Sequence, residues 1–511
     1  MDSSTIASPV VLELHLDSTR HIPPELLSLI FNFCTTQPPP SRASKSDLPI
    51  DPWHWPMITH VCARWRVIAL ATPSLWQQVD LAAALPWTEA AVLRAPAAGP
   101  LQIACSRPFR LMGDRIPLVR GLMSRVRTLH ICDNLHADVS LCFAAALGVP
   151  APLLEHASLR ARVFAELPRE LFGGHAPLLR SLVLDEIKLS EEMDTCILSG
   201  LVSLSIGCDL YEDISVPLRF LRSSPALEDL TLRACCLEMS SEPTPDALVH
   251  LPHLSRLSLD GDMSSVAHTL AHLRIPSTTA ITVSSTTSDW DAIDHILREV
   301  RAHLVRTDVA LPFLSVALGI CDARAAIRVR ASRCEDPGMR TEALVDFDFK
   351  VQYGMGDHSG MLGALVAAMH YALDGPCYLD IAVDDDAVGV WDHPVWRGLL
   401  HTDFAGRVEM IRAPVRAARE LCEALRVSRD AEPAWFACRQ LTALRLVVDD
   451  TEGIDRDGEV ERLVGAVSAC VKERGDEGLP VRVEVEGGTW EHLEREMQVV
   501  IPGMIVLRKA I

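Results

Sequence analysis

Apolar side chains recur along this chain in two spacings, and each spacing predicts a different kind of element. Residues 22–34 and 58–70 have apolar positions three and four residues apart, which is typical of amphipathic helices. From residue 77 onward, short apolar runs alternate with longer mixed stretches, which is typical of strands that alternate with helices. The pattern therefore predicts an α/β protein that begins with a small all-α module.

The N-terminal module, residues 22–76, shows helix boundaries as well as helix spacing. Pro23 and Pro24 stand in a first helical turn, where no backbone N–H is needed, and Pro73 ends the second helix. The positions that we assign to one face of each helix are Leu26, Leu27, Ile30 and Phe31, and then Val61, Cys62, Trp65, Ile68 and Ala69. Residues 35–56 between them contain six prolines and predict a surface loop. Two helices this short cannot bury a core alone, so we expect them to pack on each other and on a partner.

The order of these residues resembles the F-box. IPPELL, IF, VCARWR and PSLW follow one another within residues 22–76, and the set is similar to the F-box-like proteins that are abundant in mushroom-forming fungi. The resemblance implies a three-helix module that binds the Skp-type adaptor of an SCF-type ubiquitin ligase, and through that adaptor a cullin. By position, the residues that would make or support this contact are Pro24, Leu26, Leu27, Ile30, Phe31, Val61, Cys62 and Trp65.

The strands after the module follow one template, L-x-x-L-x-L. Its last apolar position falls at residues 131, 159, 184, 206, 232, 259 and 283, so successive copies are 28, 25, 22, 26, 27 and 24 residues apart. Residues 77–81 and 101–104 are two earlier candidates. This spacing and template resemble the leucine-rich repeat, in which stacked strands bury a continuous leucine core. Since an Asn or Cys rarely follows the template here, we expect an irregular solenoid of the horseshoe type.

Alternate residues of each repeat strand would face away from the leucine core and line one surface. Their mixture of charges and hydroxyl groups suits a protein partner. The candidate target-binding residues on this surface are His130, Arg160, Asp185, Arg233 and Asp260.

The chain therefore divides into a weakly ordered leader (1–20), the helical module (22–76), a repeat solenoid (77–285) and a C-terminal part (286–511). Strand and helix patterns continue in the C-terminal part at wider intervals, with strands predicted at 326–330, 344–351, 378–383, 407–411, 444–448, 481–485 and 505–507. Two interpretations remain open for it: an irregular continuation of the solenoid, or a separate α/β domain.

Composition and charge narrow the range of partners. The 511 residues are 49% hydrophobic and carry a formal net charge of −20, which disfavours general nucleic-acid binding and attraction to anionic membranes. The 15 cysteines include no C-x-x-C pair, so we expect free thiols rather than a disulfide framework or a zinc site. The acidic N-terminus lacks the basic region of a signal peptide. These features predict a cytoplasmic or nuclear protein.

No enzyme signature stands out in the sequence. A G-x-S-x-G elbow, a G-x-x-x-x-G-K-[ST] phosphate loop and an H-E-x-x-H helix are all missing. The glycine-rich segment 354–363 precedes a predicted helix, which leaves a phosphate-binding loop as a remote alternative. We therefore expect a non-catalytic protein that needs no cofactor and no metal.

Two hypotheses follow from these features. In the first, the chain is a substrate-recognition subunit that binds the adaptor with its helical module and a target protein, which the sequence does not identify, with its repeat surface. In the second, the chain is a scaffold whose degenerate F-box only caps the end of the repeats, since an exposed leucine array needs a cap.

Overall fold

The fold was analysed in a computed structural model of the protein. The structure describes residues 19–36, 56–105, 113–133, 139–189, 192–207, 215–233, 248–276, 278–287, 296, 298–299, 313–321, 324–332, 345–352, 377–383, 396, 400, 403–426, 438–448, 459–486, 498–500 and 505–507. They belong to two compact units, Met1–Gly200 and Leu201–Ile511. The predicted loop segment 37–55 and the glycine-rich segment 354–363 lie outside the described residues.

The first unit begins with helices and continues as a parallel strand ladder. Its helices are α1 (Pro24–Thr36), α2 (Ile58–Val61), α3 (Ala63–Leu70), α4 (Leu85–Arg94), α5 (Arg115–Leu122) and α6 (Val139–Leu147). Its strands are β1 (Gln78–Asp80), β2 (Leu101–Ala104), β3 (Val126–Asp133), β4 (His156–Glu166) and β5 (Ser181–Lys188). The five strands pair in chain order, each parallel to the next.

The second unit has the longer ladder. Its helices are α7 (Ser215–Arg222), α8 (Met263–His272), α9 (Ala418–Leu425) and α10 (Glu459–Asp476). Its strands are β6 (Ser203–Gly207), β7 (Asp229–Arg233), β8 (Val249–His250), β9 (Arg256–Gly261), β10 (Leu273–Arg274), β11 (Ala280–Thr287), β12 (Phe313–Cys321), β13 (Arg324–Ser332), β14 (Val345–Gln352), β15 (Cys377–Val383), β16 (Val408–Pro414), β17 (Ala443–Val447), β18 (Arg482–Glu486) and β19 (Ile505–Leu507). Each unit therefore contains a largely parallel sheet combined with helices, and the predicted α/β class is confirmed at this level.

The predicted leucine template coincides with these strands. Its two strand positions are buried in each unit, with no residue more than 5% exposed among Leu129, Ile131, Leu159, Leu182, Leu184, Leu204, Ile206, Leu230, Leu232, Leu257, Leu259, Ile281 and Val283. The two earlier candidate copies are also strands, β1 and β2. The alternate residues face the other side of the sheet, because side chains of a strand alternate between its two faces. We call that other side the open face.

One hydrogen bond repeats along both ladders and shows how successive strands stack. The donor is the backbone N–H of the first residue of a strand or of the residue just before it. The acceptor is the backbone carbonyl at the corresponding position of the preceding strand, and the N···O distance is 2.8 Å in each case named below. In unit 1 it joins Glu155 to Arg127 and Arg180 to Glu155. In unit 2 it joins Glu228 to Val202, Ser255 to Glu228, Ala280 to Ser255, Thr442 to Glu409 and Arg482 to Thr442. The strands between residues 408 and 486 therefore enter the sheet in the same way as the leucine-template strands.

Among the described strands of unit 2, β8 and β10 pair with each other in a separate two-stranded sheet. The order of the main sheet departs from chain order at one place. β11 pairs with β14 rather than with β12, and β12 pairs with β15. β13 lies between β12 and β14 and is antiparallel to both. The three strands therefore form a meander whose order along the sheet is reversed. The sequence predicted β13 and β14 as strands but did not predict β12. The domain boundary that we placed at residues 285–286 remains a prediction.

The second predicted helix of the N-terminal module is two helices in the structure, which corrects the sequence interpretation. Residues 58–70 are not one helix, because Cys62 adopts an extended backbone (φ −154°, ψ 168°) between α2 and α3. Its thiol accepts a hydrogen bond from the N–H of Trp65 at 3.4 Å and so caps the start of α3. The break changes the rotation of the helix, so Val61 is exposed while Ile68 and Ala69 are buried.

Candidate functional site

Helix α1 is apolar on two sides, and only one side is buried. Leu27 and Phe31 are 1% exposed, and the ring of Phe31 lies 5.0 Å from the ring of Trp65, centroid to centroid. Leu26 and Ile30, which the sequence placed on the same face, are about half exposed. The prediction of a single face was wrong, because neighbouring residues of a helix are separated by a rotation of about 100°. Leu27 and Phe31 thus face the interior of the module.

The exposed side of α1 forms a stripe of large apolar side chains. Leu26, Leu29, Ile30 and Phe33 are 50%, 64%, 46% and 63% exposed. Their spacing of i, i+3, i+4 and i+7 places them in one line along the helix. We call these four residues the apolar stripe. The sequence interpretation missed Leu29 and Phe33, although their spacing from Leu26 carried the signal.

Polar contacts hold α1 on the rest of the module. The guanidinium of Arg64 donates to the carbonyls of Thr19 and Ile22, and the indole N–H of Trp65 donates to the hydroxyl of Thr19 at 2.7 Å. On the other side, the hydroxyls of Ser28 and Thr72 lie 3.0 Å apart. These bonds fix the rotation of α1, and with it the direction of the apolar stripe.

The remaining predicted adaptor residues are partly accessible. Pro24 and Val61 are exposed, while Cys62 and Trp65 are half-buried. Val67 and Leu70 of α3 are exposed apolar residues that the sequence did not single out. Whether any of these residues binds an adaptor stays a prediction.

Three of the five predicted target-binding residues lie together on the open face of unit 1. His130 on β3 is the register partner of Ser158, and Arg160 on β4 is the register partner of Asp185 on β5. The Nε of Arg160 lies 3.5 Å from a carboxylate oxygen of Asp185. Burial lowers the pKa of His130, and the positive charges of His156 and Arg160 lower it further. The charged groups acting on His130 are therefore both basic.

The other two predicted target-binding residues are neighbours in unit 2. Arg233 on β7 is the register partner of Asp260 on β9. Four residues earlier on the same strands, Asp229 pairs with Arg256, and their side chains form an ion pair. These residues carry opposite charges in equal number. They form a balanced surface rather than one of a single sign.

An ion-pair network in unit 2 was not predicted from the sequence. Arg412 on β16 donates to Asp380 at 2.9 Å and to both oxygens of Glu486 at 3.0 and 3.2 Å. Arg445 on β17 lies 2.9 Å from Glu484. Burial alone would lower the pKa of Arg412, but the hydrogen bonds and charges of Glu486 and Asp380 raise it on balance. The only sequence signal was a charged residue between apolar residues in each strand, and that pattern does not identify the partners.

Neither a metal-binding cluster nor a membrane-spanning helix is found among the described residues. Within these residues, no three His, Cys, Asp or Glu side chains lie close enough to hold a metal ion. Among the helices whose residues are described, none combines the length and apolar character needed to cross a bilayer. The apolar stripe leaves four large apolar side chains accessible to solvent, and the open faces carry the charged strand residues described above.

Comparison with known proteins leaves the family open. No protein-family model matches the chain, and no curated protein matches it. Among solved structures, an internalin from Listeria monocytogenes matches over 71% of this chain and 82% of its own length, at 13% identity and a TM-score of 0.21. A TM-score this low carries no argument about fold or function.

Proposed function

We propose that this chain is a non-catalytic substrate-recognition subunit of an SCF-type ubiquitin ligase. Its N-terminal module would bind a Skp-type adaptor, and through it a cullin, while the open face of its leucine-rich repeats would bind a target protein. The protein would contribute proximity between target and transfer machinery, with no cofactor and no catalytic residue of its own. This role would require it to act in the cytoplasm or the nucleus.

The observation that carries the proposal is the two-sided character of α1. A helix that only capped the repeats would need one apolar face, and Leu27 and Phe31 already supply it. The apolar stripe adds a second face of four large side chains in contact with water. Contiguous exposed apolar surface is typical of protein interaction sites. Burying such side chains in a complex favours the free energy of binding by about 25 cal/mol for each Å² of apolar surface removed from water.

The F-box resemblance agrees with this geometry at the level of the helix. Two of the positions that it assigns to adaptor binding, Leu26 and Ile30, belong to the apolar stripe. Leu27 and Phe31 would support the contact from inside the module rather than touch the adaptor. Leu29 and Phe33 would extend the contact along α1.

The test is co-purification and calorimetry of the full chain with a recombinant Skp-type adaptor. The double variant Leu29→Ala/Phe33→Ala shortens two stripe residues that are already in water, so the fold should be retained. We expect adaptor affinity to fall at least about tenfold, since each truncation removes about 1 kcal/mol of burial.

The matched control is the double variant Leu93→Ala/Leu141→Ala, which shortens two leucines that are 84% and 70% exposed on α4 and α6. It should bind the adaptor as the natural chain does. A natural chain that does not bind the adaptor, or a stripe variant that binds equally well, would contradict the proposal. Leu27→Ala is unsuitable here, because truncating a buried leucine costs about 2–5 kcal/mol of stability.

The scaffold hypothesis keeps one supporting observation. Leu75 and Trp76, which end the module, are buried, and Trp76 packs against Trp87 of α4 at 5.6 Å between ring centroids. The module thus continues into the elements around β1, as a cap would. If the stripe variant leaves all binding unchanged while Trp76→Ala unfolds unit 1, the cap role alone accounts for the module.

A further inference from the structure

The open face of unit 1 carries a cluster of basic side chains around one hydroxyl group. His156, Ser158 and Arg160 are alternate residues of β4 and so point to the same side of the sheet. Their buried neighbours Ala157 and Leu159 confirm that this side is opposite the core. His130 lies beside Ser158 on the adjacent strand. We call His130, His156 and Arg160, grouped around Ser158, the basic patch.

The spacing of the basic patch brings three basic side chains near one hydroxyl group. Ser158 lies about 4.8 Å from its register partner His130, and His156 and Arg160 are each about 6.6 Å from Ser158 along the strand. Both His156 and Arg160 act electrostatically on His130. The chain as a whole carries a net charge of −20, so a local group of basic side chains stands out against an acidic background. An anion above Ser158 would lie within reach of hydrogen-bond donors on all three side chains.

Carboxylates mark the two ends of the basic patch. Glu155 lies 4.0 Å from the ring of His156, and Asp185 lies 3.5 Å from Arg160. Glu186 follows Asp185 where β5 adopts a left-handed backbone (φ 57°) at an irregularity of the β4–β5 pairing. The surface is therefore basic at its centre and has a carboxylate at each end, of which Glu155 is also paired with the exposed Arg127 at 2.8 Å. It fits one isolated negative group better than a run of them, because further negative residues would meet Glu155 or Asp185.

We infer that the basic patch binds a single carboxylate side chain presented by an otherwise uncharged segment of the target protein. The planar guanidinium of Arg160 and the ring N–H groups of His130 and His156 donate to the carboxylate oxygens, and the Ser158 hydroxyl adds a fourth donor. This inference rests on the target-binding half of the proposed function and names the chemistry of the partner. It does not depend on the adaptor.

The experiment measures binding of short fluorescent peptides to the full chain by anisotropy, without adaptor. The peptides carry a central glutamate, glutamine, lysine or run of glutamates between glycines and serines. We expect the single-glutamate peptide to bind about tenfold more tightly than the glutamine peptide, as a charge-assisted hydrogen bond does. The lysine peptide and the glutamate run should bind more weakly than the single-glutamate peptide. Arg160→Gln should remove the preference for glutamate.

The matched control is Arg256→Gln, because Arg256 is also a strand arginine beside an aspartate, Asp229, but has no histidine partner in its register. It should leave peptide binding unchanged. The inference is overturned if glutamate and glutamine peptides bind equally, if none binds at millimolar concentration, or if Arg160→Gln has no effect while circular dichroism shows a folded chain. Because the adaptor is absent, a negative result here is distinct from failure of the stripe variant to lose adaptor binding.

Discussion

Arginines lie on the open face in both units, but their neighbours differ. In unit 2, Arg412 is held between Asp380 and Glu486, and Arg445 lies beside Glu484. In unit 1, Arg160 forms an ion pair with Asp185 and also acts electrostatically on His130. The pKa changes have opposite signs, since that of Arg412 is raised by its carboxylates and that of His130 is lowered by burial and its basic neighbours. Equivalent strand positions thus carry a network of ion pairs in one unit and a group of basic side chains flanked by carboxylates in the other.

The strongest test of this contrast removes an arginine from the ion-pair network. Arg412→Leu leaves Asp380 and Glu486, both mostly buried, without their shared cation. We expect the free energy of unfolding to fall by about 2 kcal/mol, because partly buried carboxylates lose charge-assisted hydrogen bonds. Urea unfolding followed by circular dichroism measures this loss. Arg426→Leu, which removes an exposed pair with Glu473, should cost less than about 1 kcal/mol. Equal losses would show that Arg412 has no special role.

The converse test brings a carboxylate into the basic patch. Val183 is the register partner of Ser158 on β5 and faces the same side. Val183→Glu should weaken binding of the single-glutamate peptide about tenfold, because an internal carboxylate would compete for the basic groups. It should also raise the pKa of His130, which histidine NMR can follow. Val183→Gln keeps the size of the Glu side chain without its charge and should have neither effect. If Val183→Gln weakens peptide binding as strongly as Val183→Glu, the shape of the side chain rather than its charge determines the affinity.

A smaller effect in the opposite direction is expected when a carboxylate is taken away. Asp185→Asn frees Arg160 from its ion pair and should strengthen binding of the single-glutamate peptide about threefold, in keeping with the modest energy of accessible ion pairs. Peptide titration by anisotropy measures the change. Asp229→Asn, the corresponding change beside Arg256 in unit 2, should leave the affinity as it was. Weaker binding by Asp185→Asn would mean that Asp185 positions Arg160 rather than competing for it.

The smallest effect concerns the dependence of stability on pH. Because the pKa of His130 is lower in the folded chain than its ordinary value near 6.5, the unfolded chain binds the proton more readily. His130 therefore reduces stability as the pH falls below about 6.5 and has no such effect at higher pH. His130→Asn should make the thermal midpoint fall less between pH 7.5 and pH 5.5 than it does in the natural chain. The exposed His253→Asn serves as control, and identical pH profiles for all three proteins would contradict the assignment.

Much of the fold could be predicted because local pattern and burial agree. The leucine positions of the template are the buried positions of β3 to β7, β9 and β11, and the later strands β13 to β19 also lie at or within three residues of their predicted positions. β12 was missed because a continuous apolar run has no alternation to identify a strand. The reversed order of β12, β13 and β14 could not be read from the sequence, since pairing depends on which strand edges meet in space.

For the candidate sites too, part of the arrangement could be predicted from the sequence and part depended on tertiary packing. The sequence indicated that α1 is apolar and that His130, Arg160 and Asp185 alternate with core residues. It did not separate Leu27 and Phe31 from the apolar stripe, because only the packing of Phe31 on Trp65 decides which side of α1 is buried. It also did not reveal that Cys62 breaks the second helix, since Cys is not a strong cap in sequence terms.

By itself, the sequence determined where most of the strands occur and which residues belong to the leucine core, because periodicity and burial act over neighbouring residues. The tertiary structure alone decided which charges meet. It placed Arg412 between two carboxylates from distant strands and His130 beside His156 and Arg160. The physical reason is that electrostatic interactions depend on distances between residues far apart in the chain, which register and strand order set only after folding.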